Sequence, residues 1–196
     1  MKLNKQDMLK SIIDNISALD HIKSADIPNI ELYMDQVTTF MDSQMAASRR
    51  YPDDKILTKT MINNYAKNHL LPSPNKKKYS KEHVLMLIFI YYFKSFLSIS
   101  DIQALLTPLT DRYFQNDDGL NVEDLYNEVF GMEKEQVEYL KNDLTEKYQT
   151  ASQSFADADE KDRDFLTMFS FICLLSFDVY MKKQLIESII DSFPSD

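Results

Sequence analysis

The sequence predicts a mostly α-helical protein, and three observations support that fold class. The 196-residue chain contains only two glycines and no tryptophan, which disfavours a sheet-rich fold with many tight turns. Apolar residues recur at helical spacing in most segments. Hydrophobic residues make up 44% of the chain, enough for a substantial core. We expect an N-terminal domain over residues 1–107 and an acidic helical domain over residues 108–196.

Three helices are predicted before the first proline-rich segment. An amphipathic helix carries its apolar side chains at Met8, Ile12, Ile16 and Leu19. Asn29 is a candidate N-cap for the second helix, whose apolar face runs from Ile30 to Met45. Residues 48–56 form a predicted loop. Thr58 or Thr60 can cap the third helix, which buries Met61, Ile62 and Tyr65.

The segment from Pro72 to Asn75 must leave the helix, because proline lacks an amide donor and restricts the residue before it. A short wing or turn follows from that constraint. Ser80 is the predicted cap of a long apolar helix extending to Phe96. Ser98 and Asp101 resemble a capping box for the next helix. The apolar helix is predicted to be the centre of its domain.

The remaining residues also follow a helical pattern. Thr107 and Pro108 suit the N-cap and first position of a helix. Asn121 is a candidate cap for a helix that ends at Gly131, and a further helix is expected from Met132 to Phe155. The last and longest, from Phe165 to Phe193, is too apolar to remain bare. We expect it to be buried in an all-helical core or against a second subunit.

Charge is distributed unevenly along the chain. The net charge is −9, yet the segment from Arg49 to Glu82 holds nine basic and three acidic residues, a local balance of +6. Between Asp101 and Asp164 there are seventeen carboxylates and six basic side chains. A concentrated basic segment can attract polyanions whatever the total charge. The sequence therefore predicts a basic module joined to an acidic one.

Residues 61–71, MINNYAKNHLL, resemble the recognition-helix stretch of MerR-type transcription regulators, commonly T-L-R-Y-Y-E-x-x-G-L-L. Pro72 fits the next residue of that family, and Lys78-Tyr79-Ser80 is similar to its R-Y-S. Residues 96–102, FLSISDI, resemble its G-F-S-L-E-E-I. Three positions depart from the pattern: Asn63 stands for Arg, Ala66 for Glu and His69 for Gly. The whole chain, including residues 29–40 and 76–87, also looks like an uncharacterised bacterial family classed as a domain of unknown function.

The MerR resemblance implies an N-terminal winged helix-turn-helix that binds double-stranded DNA. It also implies dimer contacts, and often an effector site, in the part beyond the wing. The expected partners are therefore duplex DNA and a second copy of the chain, while an effector molecule is not identified. Symmetric dimers are the usual way in which such small modules gain affinity.

The residue types themselves suit DNA recognition. Lys and Arg neutralise phosphates, and Asn can present both a donor and an acceptor to an adenine edge. The candidate DNA-binding residues are Arg49, Arg50, Asn63, Asn64, Tyr65, Lys67, Asn68, Lys76, Lys77, Lys78 and Tyr79. The alternative is structural: the lysines form a solvated loop, the asparagines occupy an exposed helix face, and both tyrosines complete the core. A rival function is a protein-interaction module that keeps the scaffold without DNA binding.

Other functional classes find little support in the residues. The three histidines lack metal-ligand spacing, no glycine-rich phosphate loop is present, and no catalytic constellation stands out. We therefore expect no enzymatic activity, metal or cofactor. Cys173 cannot form an internal disulfide, because it is the only cysteine. The N-terminal residues do not resemble a signal peptide, and we expect a cytoplasmic protein that does not enter membranes.

Overall fold

The structure, a computed structural model, describes residues 10–14 and 21–193. It confirms the mostly α-helical class. The chain forms two compact units: an N-terminal unit, Ser17–Gly131, and a C-terminal unit that combines Met132–Asp196 with Met1–Ile16. The predicted division after Thr107 instead falls inside a helix. Of the predicted helix from Met8 to Leu19, residues 10–14 are helical, and the remainder lies outside the described residues.

The N-terminal unit contains five α-helices and two short strands among its described residues. The two strands pair antiparallel, with Leu32 opposite Tyr79 and Tyr33 opposite Lys78. Short 3₁₀ turns lie at Ser24–Asp26 and Ala46–Ser48. The elements follow in the order β1 Leu32–Tyr33, α1 Met34–Gln44, α2 Lys59–Lys67, β2 Lys78–Tyr79, α3 Lys81–Phe93, α4 Ile99–Tyr113 and α5 Val122–Gly131.

Side-chain caps begin the helices where the sequence predicts them. Thr58 Oγ1 accepts a hydrogen bond from the Met61 amide at 3.2 Å at the start of α2. At α4, the Asp101 amide donates to Ser98 Oγ, and the Ser98 amide donates to Asp101 Oδ2, each at 3.1 Å. Asn121 and Asp124 form the same reciprocal pair at α5. Such caps each contribute about 1 kcal/mol by satisfying amides that have no partner within the helix.

The prediction that Asn29 caps a helix starting at Ile30 is wrong. Leu32 and Tyr33 are extended and pair with β2, and α1 begins at Met34. The Tyr33 amide donates to Gln36 Oε1 at 2.8 Å, so Tyr33 occupies the N-cap position. Leu32 and Tyr33 are extended because they pair with β2. The prediction failed because that partner lies more than forty residues further on, where a local pattern cannot detect it.

The prediction that Thr107 and Pro108 begin a helix is also wrong. Helix α4 runs through both residues, with Pro108 in its interior. A proline there removes one helical hydrogen bond and crowds the preceding turn. Ile102 and Leu106 are fully or almost fully buried just before it, and this packing offsets the local penalty.

The centre of the N-terminal unit is α3, as predicted. Every residue from His83 to Ile90 is buried, so the helix is surrounded by the rest of the unit. Helix α5 closes one side with Tyr126, whose hydroxyl donates to the Ile22 carbonyl at 2.5 Å. The Tyr126 ring lies against those of Phe89 and Phe130, with centroid distances of 5.6 and 4.3 Å.

The described C-terminal unit consists mainly of two helices, α6 Glu133–Ser152 and α7 Glu160–Asp191. They pack around Leu144, Ala151 and Phe171, with Ile13 against the same cluster. An ion-pair network also joins them: Lys147 Nζ lies 3.0 Å from Asp178 Oδ2 and also pairs with Asp143. The Lys147 ammonium group, together with that of Lys182, holds the pKa of the Asp178 carboxyl below its usual range.

The last helix was predicted to be buried in an all-helical core or against a second subunit, and within its own unit only one side of α7 is buried. Phe165 is 71% exposed and Ile172 57% exposed, while Phe171 is buried. Within the described residues, α7 is the one helix long and apolar enough to cross a membrane, by length and composition only. Composition does not show how many neighbouring helices surround an apolar helix, and among the described residues α6 covers one face of α7.

Candidate nucleic-acid interface

Helix α2 turns its polar side to solvent. Ile62 and Tyr65 are buried, and the side chains on the opposite side of the helix are exposed. At about 100° per residue, the exposed set occupies an arc of roughly 140°. It consists of Lys59, Thr60, Asn63, Asn64 and Lys67. This face offers amide donors and acceptors together with two cationic groups.

The predicted residue Asn68 has a different position, at the end of α2. Its side-chain amide donates to the Asn64 carbonyl at 2.8 Å. The next residue, His69, has φ of 56°, in the left-handed region. The Leu70 amide bonds to the Tyr65 carbonyl at 2.9 Å, and the His69 amide bonds to the Ala66 carbonyl at 3.2 Å. This pattern is a Schellman motif, whose left-handed position is usually glycine.

The lysine turn, residues Asn75 to Lys78, connects the end of this segment to β2. The Lys78 amide donates to the Asn75 carbonyl at 2.9 Å, which closes a four-residue turn. Its two central residues, Lys76 and Lys77, are exposed and have φ of 48° and 65°. Two consecutive positive φ angles fit a type I′ hairpin turn, for which Asn-Gly is the preferred pair. Lysine at these positions carries a backbone cost of roughly 1–2 kcal/mol each.

The start of α2 and the lysine turn both reach the junction between β1 and α1. Lys59 forms an ion pair with Asp35, the second residue of α1. Lys78 Nζ lies 3.4 Å from Glu31 Oε2 and 5.9 Å from the centre of the exposed Tyr33 ring. One continuous surface therefore joins the two elements. The same contacts engage Lys59 and Lys78 with carboxylates. Among the described residues, no ion pair involves Lys67, Lys76 or Lys77.

The predicted residues Arg49 and Arg50 line a cavity of about 370 Å³ together with Lys55 and Lys94. The Arg49 guanidinium lies 3.1 Å from Asp42 Oδ1 and donates to the Asp42 carbonyl at 3.0 Å. Arg50 is exposed and lies over the Tyr51 ring at 5.3 Å. Arg49 therefore fixes the loop after α1 to that helix, and Arg50 remains a surface cation.

The predicted surface roles of Tyr65 and Tyr79 must be corrected. Tyr65 is 6% exposed and Tyr79 is 2% exposed, and burial raises the pKa of both hydroxyls. Both side chains complete the core of the N-terminal unit, which is the structural alternative that the sequence left open. Tyr79 points inward because Lys78, its neighbour in β2, takes the outer side of the strand.

Sequence reasoning missed Lys59 and Thr60 as members of the exposed α2 face. The available signal was their spacing, since Lys59 precedes Asn63 by four residues, and Thr60 precedes Asn64 by four. In helix-turn-helix proteins, residues in the first turn of the recognition helix approach base edges most closely. Once Thr58 is recognised as the cap, both follow as first-turn residues.

His83 supports the base of the lysine turn from inside. Its Nδ1 accepts a hydrogen bond from the Ser80 amide at 3.0 Å, so His83 completes the capping box of α3. The ring lies edge-on to Tyr79 of β2, with centroids 5.6 Å apart. Burial lowers the pKa of His83, although the Ser73 carbonyl and the Glu31 charge oppose that shift. The buried imidazole is therefore neutral at pH 7 and ties β2 to α3.

Comparison with known proteins gives a family for this chain. The sequence profile of the family described as "Domain of unknown function (DUF1836)" matches residues 22–129, which is more than half of the 196-residue chain. No curated protein and no solved structure matches. The matched range spans the described part of the N-terminal unit almost to its end, including α2, the lysine turn and α3. The chain therefore belongs to the DUF1836 family.

Proposed function

We propose that the N-terminal unit is a MerR-like winged helix-turn-helix that binds double-stranded DNA. In this proposal α1 and α2 form the helix-turn-helix, α2 enters the major groove, and the lysine turn is the tip of a short wing. The observation that carries the proposal is the pair Lys76 and Lys77, which is exposed at two backbone positions that disfavour lysine. Strained backbone of this kind concentrates at functional sites.

Each group in the proposed interface suits a different part of DNA. Lys76 and Lys77 would neutralise phosphates and release counterions, which provides affinity without sequence preference. Asn63 and Asn64 would reach base edges, where an Asn amide can pair with adenine. Lys67 follows on the same helix face and can contact either phosphate or guanine. Arg50 is a candidate for a peripheral phosphate contact.

The proposed role is transcription regulation without an enzymatic step. The N-terminal unit would select the DNA site, and the C-terminal unit would provide dimerisation or sensing. A cytoplasmic location remains a prediction that follows from this role.

The test separates the charge of the lysine turn from its fold. In the double variant Lys76→Asn/Lys77→Gly, the preferred pair for a type I′ turn replaces both lysines, so the turn becomes more stable while two charges are removed. We expect binding to a random-sequence duplex at low salt to weaken at least tenfold. The slope of log affinity against log salt should fall by about 1.8, or 0.9 for each phosphate that the protein no longer neutralises.

Two control proteins make the result specific. Lys76→Arg/Lys77→Arg keeps both charges and should retain binding. Lys10→Asn/Arg112→Gln removes two charges from exposed positions outside the interface and should leave the salt slope unchanged. The proposal fails if the Asn-Gly variant binds with the wild-type affinity and slope. If binding does depend on the lysine turn, selection of bound sequences from a random duplex pool would show whether α2 recognises particular bases.

A second candidate function, a protein-interaction module, is favoured by one observation. Asp35 and Glu31 lie on the same surface and pair with Lys59 and Lys78, which reduces its positive charge. A mixed surface of this kind suits a protein partner better than a polyanion. This second function is favoured if the folded wild-type protein enriches no sequence from the random duplex pool. Its affinity for duplex DNA should then also be the same in the Lys76→Asn/Lys77→Gly variant.

A further inference from the structure

The cavity between the loop after α1 and the end of α3 is strongly cationic. We call it the loop cavity; its volume is about 370 Å³, and it lies within the N-terminal unit. Four positive side chains line it, those of Arg49, Arg50, Lys55 and Lys94, together with the single carboxylate of Asp54. The lining therefore has a balance of +3, whereas the whole chain has a net charge of −9. Positive groups gathered around a concave surface favour an anionic ligand.

Hydrogen bonds fix the loop that forms one wall of the loop cavity. Asp42 Oδ1 lies 3.1 Å from the Arg49 guanidinium and also accepts from the Ile56 amide at 3.3 Å. Between these two points, the Tyr51 amide donates to Asp54 Oδ2 at 2.9 Å, and the Asp54 amide donates to the Tyr51 carbonyl at 3.0 Å. The one carboxylate of the lining is thus engaged in its own turn, and the wall is formed in advance of any ligand.

Lys94 forms the opposite wall without a carboxylate partner. Its Nζ donates to the Ile56 carbonyl at 3.1 Å and lies 4.6 Å from the centre of the Tyr91 ring. Both contacts are with uncharged groups, and burial lowers the pKa of this ammonium group. Within the part of the chain that the structure describes, no ion pair involves Lys94, Lys55 or Arg50. Three of the four cations therefore remain available to a ligand.

We propose that the loop cavity binds the phosphate group of a small phosphate monoester. Such a group carries a charge of about −2 near neutral pH and several acceptor oxygens, which Arg and Lys bind strongly. Among the described residues, the buried Nε of Arg49 has no acceptor, and an anion in the cavity can provide one. The volume lies within the range of small-molecule sites, which leaves room for the remainder of the monoester.

The loop cavity and the lysine turn lie at opposite ends of α3. Lys81 begins this helix directly after β2, and Lys94 follows its last residue. Thirteen residues of helix correspond to about 20 Å along its axis. The backbone of a DNA duplex, which is a second source of phosphate, can reach the exposed Arg50 more easily than the half-buried Arg49 and Lys94. The proposal therefore commits to a small molecule and does not depend on DNA binding.

Calorimetric titration of the full-length protein, without DNA and at constant ionic strength, gives the first test. Inorganic phosphate and ribose 5-phosphate should both bind, whereas ribose should not. Lys55→Gln/Lys94→Gln removes two charges but keeps polar side chains, and it should weaken both affinities roughly tenfold or more. Lys55→Gln alone, at an exposed position, should have a smaller effect in the same direction. Lys10→Asn/Arg112→Gln, which removes two exposed charges outside the cavity, should bind like the wild type. Equal far-UV circular dichroism controls for folding.

A second set of measurements locates the bound phosphate and identifies its source. Lys76→Asn/Lys77→Gly should bind ribose 5-phosphate like the wild type; a loss of binding would place the phosphate at the lysine turn and overturn the proposal. A wild type that binds neither anion would also overturn it, as would an unchanged affinity in Lys55→Gln/Lys94→Gln. If that variant loses more affinity for a random-sequence duplex than Lys10→Asn/Arg112→Gln does, the cavity is a DNA-backbone contact, and the small-molecule proposal is wrong. Because the titrations contain no DNA, their failure is distinct from a failure of the proposed function.

Discussion

His69 and His83 are single residues whose surroundings set their conformation or their charge. His69 adopts φ of 56° because the Schellman motif at the end of α2 requires a left-handed residue there. His83 is neutral because it is buried, and its Nδ1 completes the cap of α3. Each residue flanks the candidate interface, and each leads to a specific prediction.

The first prediction concerns the backbone at the end of α2. His69→Gly should raise the free energy of unfolding by about 1 kcal/mol, since glycine adopts a positive φ without the steric penalty of a Cβ atom. Urea denaturation of the full-length protein measures the change. Asn68→Gly is the matched control: Asn68 has φ of −93°, so glycine there should give no gain. If His69→Gly is instead less stable, the imidazole makes a contact that stabilises the protein by more than the positive φ destabilises it.

The second prediction concerns the pH dependence of stability. Burial holds the pKa of His83 below its ordinary value of 6.5, so the unfolded chain binds this proton more readily than the folded chain. The stabilisation is fully present above pH 6.5. It declines as the pH falls from 6.5 toward the lower pKa of the folded protein. We therefore expect the Tm of the wild type to fall between pH 7.5 and pH 5.5.

His83→Gln is the comparison that isolates this effect. Glutamine is a usual capping-box residue at the third position of a helix. Its side-chain oxygen can accept the hydrogen bond from the Ser80 amide, but the side chain does not titrate. The variant should show a smaller fall in Tm over the same pH interval, measured by circular dichroism. The other two histidines are present in both proteins and cancel in the difference. Parallel Tm curves would show that His83 does not control this pH dependence.

At the scale of elements, α4 is the helix that most clearly violates its local sequence preference. Pro108 lies well inside Ile99–Tyr113 and cannot donate to the carbonyl one turn earlier. The helix continues because buried side chains such as Leu106 fix it to the unit. Local propensity is thus overridden by packing, at a cost that a substitution can reveal.

Replacement of this proline gives the third prediction. Pro108→Ala should raise the free energy of unfolding by about 1–3 kcal/mol, because it restores a backbone donor and removes the ring from the preceding turn. Thr107→Ala, at the exposed neighbouring position, should change stability by less than about 0.5 kcal/mol. Denaturant unfolding of both variants provides the measurement. A destabilised Pro108→Ala protein would show that the proline shapes α4 in a way the packing requires.

The elements that local chemistry determines were predictable from sequence, whereas those that depend on distant partners were not. Thr58, Ser98 and Asn121 act within one helical turn, so their caps could be identified directly. Strand β1 forms by pairing with β2, and Tyr79 is buried by side chains from several elements of the N-terminal unit. In the candidate interface, the exposure of Asn63 and Lys67 follows from helical periodicity. The positive φ angles of the lysine turn require the closed hairpin and could not be predicted from residue type.

At the scale of the whole molecule, positive charge is local even within the N-terminal unit. Residues 17–131 contain twelve basic and fifteen acidic side chains, a balance of −3, although the segment from Arg49 to Glu82 has a balance of +6. The acidic residues after Asp101 account for most of the difference. If the proposed DNA binding holds, long-range attraction to DNA should be weak, and affinity should come mainly from close phosphate contacts, which weaken as salt rises because fewer counterions are released favourably.

The β1–β2 pair has a consequence for the order of folding. Leu32 and Tyr79 are partners in a ladder of only two residues, yet 46 residues separate them in the chain. Closing so long a loop costs entropy that two backbone pairs cannot offset, so the ladder must wait for α1, α2 and α3 to assemble around it. The lysine turn would then take its place beside β1 and α1 only at that stage, and nascent or partly denatured chains would lack the combined surface.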